Sequence, residues 1–206
     1  MRFVLYTFVR TSELRFAEWE EMDLDSENPT WKLPAERMKM RREHLVPLVP
    51  QTLDVLHQVA EISQGEKLVF PGQNNPNRPM SENTLLFAIY RMGYHSRATT
   101  HGFRATASTI LNESGLWHPD AIERQLAHVE GNKTRAAYNR AEHLVERRQM
   151  MQWWSDYLDA LKDPVNDNSS KVQMWEGGNL YEQQKNYVEK LENKKEVQLA
   201  STEDVS

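Results

Sequence analysis

The sequence predicts an α+β, mainly α fold with a small three-stranded antiparallel sheet, and two observations carry that expectation. Three short strand-like runs, Trp19 to Leu24, Thr30 to Leu33 and His44 to Leu48, are separated by Ser26-Glu-Asn-Pro29 and by a charged turn. Elsewhere the apolar residues recur at helical spacing, in segments opened by capping residues or proline and closed by glycine.

Taken in order, Phe3, Val4, Phe8, Leu14 and Phe16 lie among polar positions, and Thr11 or Ser12 followed by Glu13 marks a bend where a new helix starts. Arg10 therefore falls near a helix end. The three strands follow, with Lys39 on the turn between the second and third. Thr52 to Ile62 places Leu53, Leu56, Val59, Ala60 and Ile62 on one side of a helix, and Leu68-Val-Phe70 then runs into a Pro/Asn/Gly surface loop. Ser81 caps a helix to about Met92, closed by Gly93, and Thr100 to Ser114 forms the next, closed by Gly115. Pro119 and Asp120 start a short helix to about His128, because proline fits a first turn and acid favours the positive helix end. After Gly131-Asn132, a long helical pattern from Lys133 carries Tyr138, Leu144, Met150, Met151, Trp154, Tyr157, Leu158 and Leu161, stopping before Asp163-Pro164. Residues 1–162 are thus one expected domain. Residues 163–206 read as a polar acidic tail in which Leu180, Tyr187, Val188 and Leu191 fit an amphipathic helix or a disordered segment equally well.

With 39% hydrophobic and 27% charged residues the chain has an ordinary soluble composition, and no apolar run approaches the ~20 residues of a membrane span. The opening apolar stretch meets Arg10 and acidic residues before any cleavage site, so a cytoplasmic location is expected. Without cysteine there is neither disulfide nor thiolate chemistry, and without a His-x-x-x-His pair no structural metal is expected. The net charge of -5 argues at first against a nucleic-acid partner, but most of it lies beyond residue 162, leaving a nearly neutral body. DNA binding would need local patches. Arg41 and Arg42 in the run Glu36 to Glu43, and Lys133, Arg135 and Arg140 in the run Lys133 to Arg140, are the candidates; either run alone would read as a solvated face.

Six residues together suit phosphodiester chemistry: Arg10, Lys39, His101, Arg104, His128 and Tyr138. Guanidinium groups neutralise phosphoryl oxygens in bidentate fashion without deprotonating. His101 lies three positions before Arg104, so on a helix both project from one face. Lys39 on an exposed turn can protonate a leaving 5′ oxygen, although Lys32, Arg41 and Arg42 compete for that role. Tyr138, with an ordinary pKa of ~10, becomes a competent nucleophile only beside positive charge and a proton acceptor. Taken singly these residues read as a helix-end cation, a turn lysine, a capping histidine and a core tyrosine. Their order along the chain favours the site. Glu13 suits a buttress for an arginine, and Met150, Met151, Trp153 and Trp154 suit the core or an interface.

The motifs resemble those of the tyrosine recombinase, or phage integrase, catalytic domain. Thr7-Phe-Val-Arg10-Thr-Ser-Glu-Leu14 resembles its first arginine box, Met38-Lys39 with Arg42-Glu-His-Leu-Val-Pro-Leu48 its lysine hairpin, and His101-Gly-Phe-Arg104-Ala-Thr-Ala its second box. Gln125-Leu-Ala-His128-Val-Glu-Gly-Asn-Lys-Thr-Arg-Ala-Ala-Tyr138-Asn-Arg is similar to the third box of prophage and genomic-island integrases. The resemblance spans about residues 1 to 162. It implies an integrase-type catalytic domain that cleaves and rejoins DNA through a 3′-phosphotyrosine, without cofactor or metal, with Arg10, Lys39, His101, Arg104 and His128 around the phosphate and Tyr138 as nucleophile. It implies double-stranded attachment-site DNA and further integrase protomers as partners, no membrane and no small-molecule substrate, in a bacterial cytoplasm and on the nucleoid when bound. Phe8 departs from the glycine that many members carry before the arginine box. The amino-terminal arm- and core-binding domains are missing from the pattern, so a catalytically idle remnant that binds DNA or an intact integrase is the alternative. A type IB topoisomerase-like activity is a third.

Overall fold

The computed structural model describes residues 1–39, 41–63, 65–128 and 143–162. Its described α-helices are α1 (Arg2–Thr7), α2 (Thr11–Arg15), α3 (Pro50–Ser63), α4 (Thr84–Arg91), α5 (Thr100–Glu113), α6 (Pro119–Gln125) and α7 (Leu144–Ala160). The strands β1 (Met22–Asp23), β2 (Thr30–Leu33) and β3 (His44–Pro47) form an antiparallel sheet in that order, and β4 (Pro71–Gly72) pairs with β5 (Asn75–Pro79). No helix among the described residues is long and apolar enough to cross a membrane. The tail and the residues Lys133, Arg135, Tyr138 and Arg140 lie outside the described residues.

The sheet is built on β2, whose alternating Trp31 and Leu33 are fully buried while Lys32 between them is exposed, the period of two that a one-sided strand imposes. Trp31 pairs with Val46, and Leu33 with His44. Trp31, Leu33 and Val46 pack with Phe3, Val4, Leu14 and Leu56 in one apolar cluster. A second gathers Phe8, Leu111, Ile122, Leu126, Met150 and Trp154 between α5, α6 and α7. The fully buried Phe8 meets Trp154 edge to face at 6.1 Å.

Three expectations are corrected. The strand foreseen from Trp19 to Leu24 is reduced to β1, because Trp19–Glu21 coil into a 3-10 turn in which the Glu21 carboxylate accepts from the Glu18 amide and from Trp31 Nε1. The Pro/Asn/Gly stretch is not irregular: β5 folds back on β4, and Asn75 to Arg78 stay exposed, so proline costs no core ladder bond there. A single helix from Lys133 to Leu161 is excluded, since His143 is left-handed (φ 48, ψ 32) and α7 starts at Leu144. Histidine is among the non-glycine residues enriched in that conformation, and His143 Nδ1 faces the Glu146 carboxylate at 3.5 Å.

Capping follows the local sequence. Thr99 Oγ1 accepts from Gly102 N at 2.9 Å at the start of α5, and His118 Nδ1 accepts from Asp120 N at 3.1 Å ahead of Pro119. Ser81, expected to cap α4, instead stands one turn ahead of it, its Oγ accepting from Asn83 N, and the residue that precedes the helix is Asn83, whose side chain makes no cap bond. At the far end of α1, Phe8 itself is left-handed (φ 41, ψ 31), a conformation costing an L side chain roughly 1–2 kcal/mol. Phe8→Ala is therefore expected to destabilise the fold by about 3–5 kcal/mol through the lost packing, and Phe8→Gly by about 1 kcal/mol less, because glycine relieves the backbone. Urea unfolding of the two variants checks the order; an alanine variant more stable than the glycine one would contradict the strain argument.

Candidate active site

Two left-handed turns frame the site, and each offers its carbonyl to one arginine. The first is Phe8, whose carbonyl accepts from Arg104 Nη1 at 2.7 Å. The second closes α6: Ala127 N–H reaches Arg124 O at 3.1 Å and His128 N–H reaches Glu123 O at 3.1 Å, a Schellman closure with Ala127 left-handed at φ 46. The Ala127 carbonyl accepts from Arg10 Nη2, also at 3.1 Å.

Arg10 is the residue preceding the first turn of α2. Its amide donates to Glu13 Oε2 at 2.7 Å, and its Nη1 donates to Glu13 Oε1 at 2.7 Å. Glu13 is buried, so the pair fixes the guanidinium with little freedom left, and the buttress expected of Glu13 is what the geometry contains. Arg10 stays about one third exposed, enough to meet a ligand.

Arg104 occupies the buried face of α5, with only 5% of its surface exposed. Beyond the bond to Phe8, its Nη2 is buried with no hydrogen-bond partner among the described residues. Burial first, and then the neighbouring Arg10 charge, push this guanidinium down to about 10, against the opposing pull of Glu13 and Glu123. It remains charged at neutral pH. Two like charges and an unpartnered donor stand together here, an arrangement that an anion would satisfy.

His128 follows the Ala127 turn, its Nδ1 2.8 Å from Glu123 Oε2. That contact orients the ring and leaves Nε2 for a substrate. His101 is exposed in the first turn of α5, three residues before Arg104, and Thr100 beside it meets Thr11 Oγ1 at 3.1 Å, joining the starts of α5 and α2. Lys39, Arg41 and Arg42 are exposed on the β2–β3 turn, Arg41 in a left-handed conformation, and no contact among the described residues ties Lys39 to the arginines. The geometry thus joins Arg10, Arg104 and the turn bearing His128, keeps His101 on the helix of Arg104, and leaves Lys39 on its own turn.

Beneath this lies a support absent from the sequence reading. Arg147, fully buried on α7, donates through Nε (3.0 Å) and Nη2 (2.8 Å) to the Gln125 Oε1 atom and also reaches the Leu45 carbonyl. It links the strand after the lysine turn to the helix before His128. Its signal was present: Arg147, Met150, Met151 and Trp154 stand at the i, i+3, i+4, i+7 spacing of a buried stripe, so a charge in the first place marks an internal arginine. His44, opposite Leu33 in the sheet, is buried beside the same cations.

Known proteins share sequence with most of this chain. Residues 1–144 match the phage integrase family. The integrase of Enterobacteria phage P4 is 50% identical over 170 residues, covering 75% of this chain and 38% of the phage protein. Prophage integrase IntA of Escherichia coli (strain K12) is 44% identical over 156 residues, covering 76% and 37% respectively. The integrase of Shigella phage Sf6 is 43% identical over 155 residues, covering 75% and 40%. The chain therefore spans about two fifths of the length of the curated relatives it matches. A solved structure titled as XerA recombinase superposes with a TM-score of 0.49 at 16% identity, over 72% of this chain and 54% of that one. By its motif order and by a family match that takes in most of its length, the chain belongs to the phage integrase family.

Proposed function

We propose that this chain carries the strand-transfer centre of a site-specific DNA recombinase that integrates or excises phage or prophage DNA. The observation that supports it best is the pair Arg10 and Arg104, locked on backbone carbonyls and presenting a buried guanidinium N–H without a partner. A phosphoryl group between them would satisfy that donor and offset the like-charge repulsion. In this reading the Tyr138 oxygen attacks the phosphorus, the bond to the 5′ oxygen breaks, and a 3′-phosphotyrosine remains. His128 or His101 accepts the phenolic proton, and Lys39 protonates the departing 5′ oxygen. A 5′-hydroxyl from a second strand then attacks the phosphotyrosine and releases the tyrosine, so the number of phosphodiester bonds is conserved. Attachment-site duplex DNA and further integrase protomers are the proposed partners, met in a bacterial cytoplasm on the nucleoid.

The test is a nicked duplex whose cleavage releases a short fragment and traps the enzyme, incubated in EDTA and resolved on a denaturing gel. A protease-sensitive adduct is expected, absent from Tyr138→Phe. DNA binding without any adduct would favour the idle-remnant reading. Sustained relaxation of supercoiled plasmid without strand exchange would favour the topoisomerase-like one.

A further inference from the structure

Two consecutive residues in the first turn of α7 grip the two ends of α6. Glu146 reaches the beginning: its Oε1 accepts from His118 N at 2.6 Å, directly before Pro119 opens that helix. Arg147 reaches the end, where its Nε and Nη2 donate to Gln125 Oε1. The inner contact lies beneath the arginines. The outer one, at the surface, has no part in holding them.

Glu146 has a second partner. Its other oxygen, Oε2, faces His143 Nδ1 at 3.5 Å, so one carboxylate spans from the residue before α6 to the residue before α7. The two imidazoles that it joins lie nearly parallel, with the His118 and His143 ring centroids 5.7 Å apart and the planes at 10°. His143 stands left-handed at φ 48, ψ 32, where an L side chain is disfavoured and persists only when its surroundings fix it. An acid in a first turn favours the positive helix end without further contacts. Helix stability alone therefore requires neither the reach to His118 nor the strained histidine.

The sequence sets what this anchor holds. Tyr138 stands ten residues after His128 and five before His143. The end of α6 thus leads into the stretch that carries Tyr138, and His143 receives the chain after it. By tying His143 to the start of α6, Glu146 fixes one end of that stretch relative to the other. Five residues span at most about 18 Å, so a displacement of His143 bears on where the phenol can be placed. A misplacement of about 1 Å can slow a reaction about 10²-fold.

We propose that Glu146, with His143 and His118, is a positioning device for strand transfer: it sets the approach of the Tyr138 oxygen to the phosphate without contributing to DNA affinity. This rests on the strand-transfer reading and adds to it a determinant outside the six residues assigned to the chemistry. The device is separable from folding. His118 is exposed, so water can take over its amide when the carboxylate is removed, and a partly exposed ion pair such as that of Glu146 and His143 contributes little to stability.

The experiment measures single-turnover adduct formation by the full chain on the nicked duplex, in EDTA and at saturating DNA, beside duplex affinity by anisotropy and a thermal melt. Glu146→Ala is expected to slow adduct formation about tenfold or more while affinity stays within about twofold. Glu146→Gln keeps an acceptor oxygen for His118 N and should recover the rate to within about threefold of wild type. His143→Gly should melt within about 3 °C of wild type, since glycine relieves the backbone as the ring contacts are lost, yet slow the reaction about tenfold. Asp159→Ala, which gives up the bonds to Tyr6 and Lys162 at the far end of α7, is the control and should keep the wild-type rate. A wild-type rate in folded Glu146→Ala or His143→Gly overturns the anchor while leaving the strand-transfer reading standing. So does a Glu146→Gln protein as slow as Glu146→Ala, an equal slowing in Asp159→Ala, or a loss that falls on affinity instead of rate. No adduct from the unaltered chain overturns both readings together.

Discussion

Arg104→Lys is expected to slow phosphotyrosine formation by about 10²- to 10³-fold, the scale of losing a preorganised donor at a developing negative charge. Lysine keeps the charge, so the comparison isolates geometry. The guanidinium fork spans two functions here: Nη1 is committed to the Phe8 carbonyl, while Nη2 is buried with no partner among the described residues. An ammonium on a flexible stem can hold the carbonyl or reach the phosphate, but it has no rigid second arm to do both. Single-turnover adduct formation on the nicked duplex measures the effect, and a thermal melt separates it from unfolding. A merely structural arginine predicts a lowered melting temperature with cleavage preserved in the folded fraction. Cleavage at the wild-type rate by a folded Arg104→Lys protein would remove Arg104 from the proposed centre.

What could be read in the sequence, and what could not, follows from where the information resides. β2 was legible to the residue, because Trp31 and Leu33 alternate with polar neighbours, and α5 nearly so, because it opens on Thr100 and Gly115 follows. Side chains signal there. The β4–β5 hairpin was not legible because Asn75 to Pro79 has the composition of a loop; its pairing is by backbone, which carries no residue signature. The same reason hides the centre of the site. Arginine, histidine and glutamate stand out in a sequence, and Glu13 beside Arg10 was foreseen as a buttress. The acceptors that hold the two arginines are carbonyls of Phe8 and Ala127, made available by left-handed turns at residues that are not glycine. Any residue has a carbonyl. Only the fold says which ones are aimed at a guanidinium.

His44 is expected to make the protein acid-labile, and its removal should flatten that dependence. Burial first, and then the charges of Arg147, Arg124, Arg104 and Arg10, hold its imidazole down to about 3. In the unfolded chain it titrates near 6.5. Between those values the unfolded state binds a proton that the folded state refuses, so stability rises with pH across the window and falls as pH drops through it. Above 6.5 the imidazole is neutral in both states and has no effect; at pH 4 the loss from this group amounts to roughly 3 kcal/mol. Carboxylates also titrate in acid, so the informative quantity is a difference between proteins. Urea unfolding of wild type and His44→Gln from pH 7.5 to 4 should give curves that converge on acidification, with the wild type taking up close to one proton more per molecule unfolded. Parallel curves would mean that His44 accepts a proton in the folded state. The arginine cluster makes that the harder outcome, because a fifth positive charge would join the four that already act on this buried position. Phosphate or sulfate held by Arg10 and Arg104 should for the same reason shrink the difference between the two curves, coupling the acid lability of the sheet to occupancy of the proposed centre.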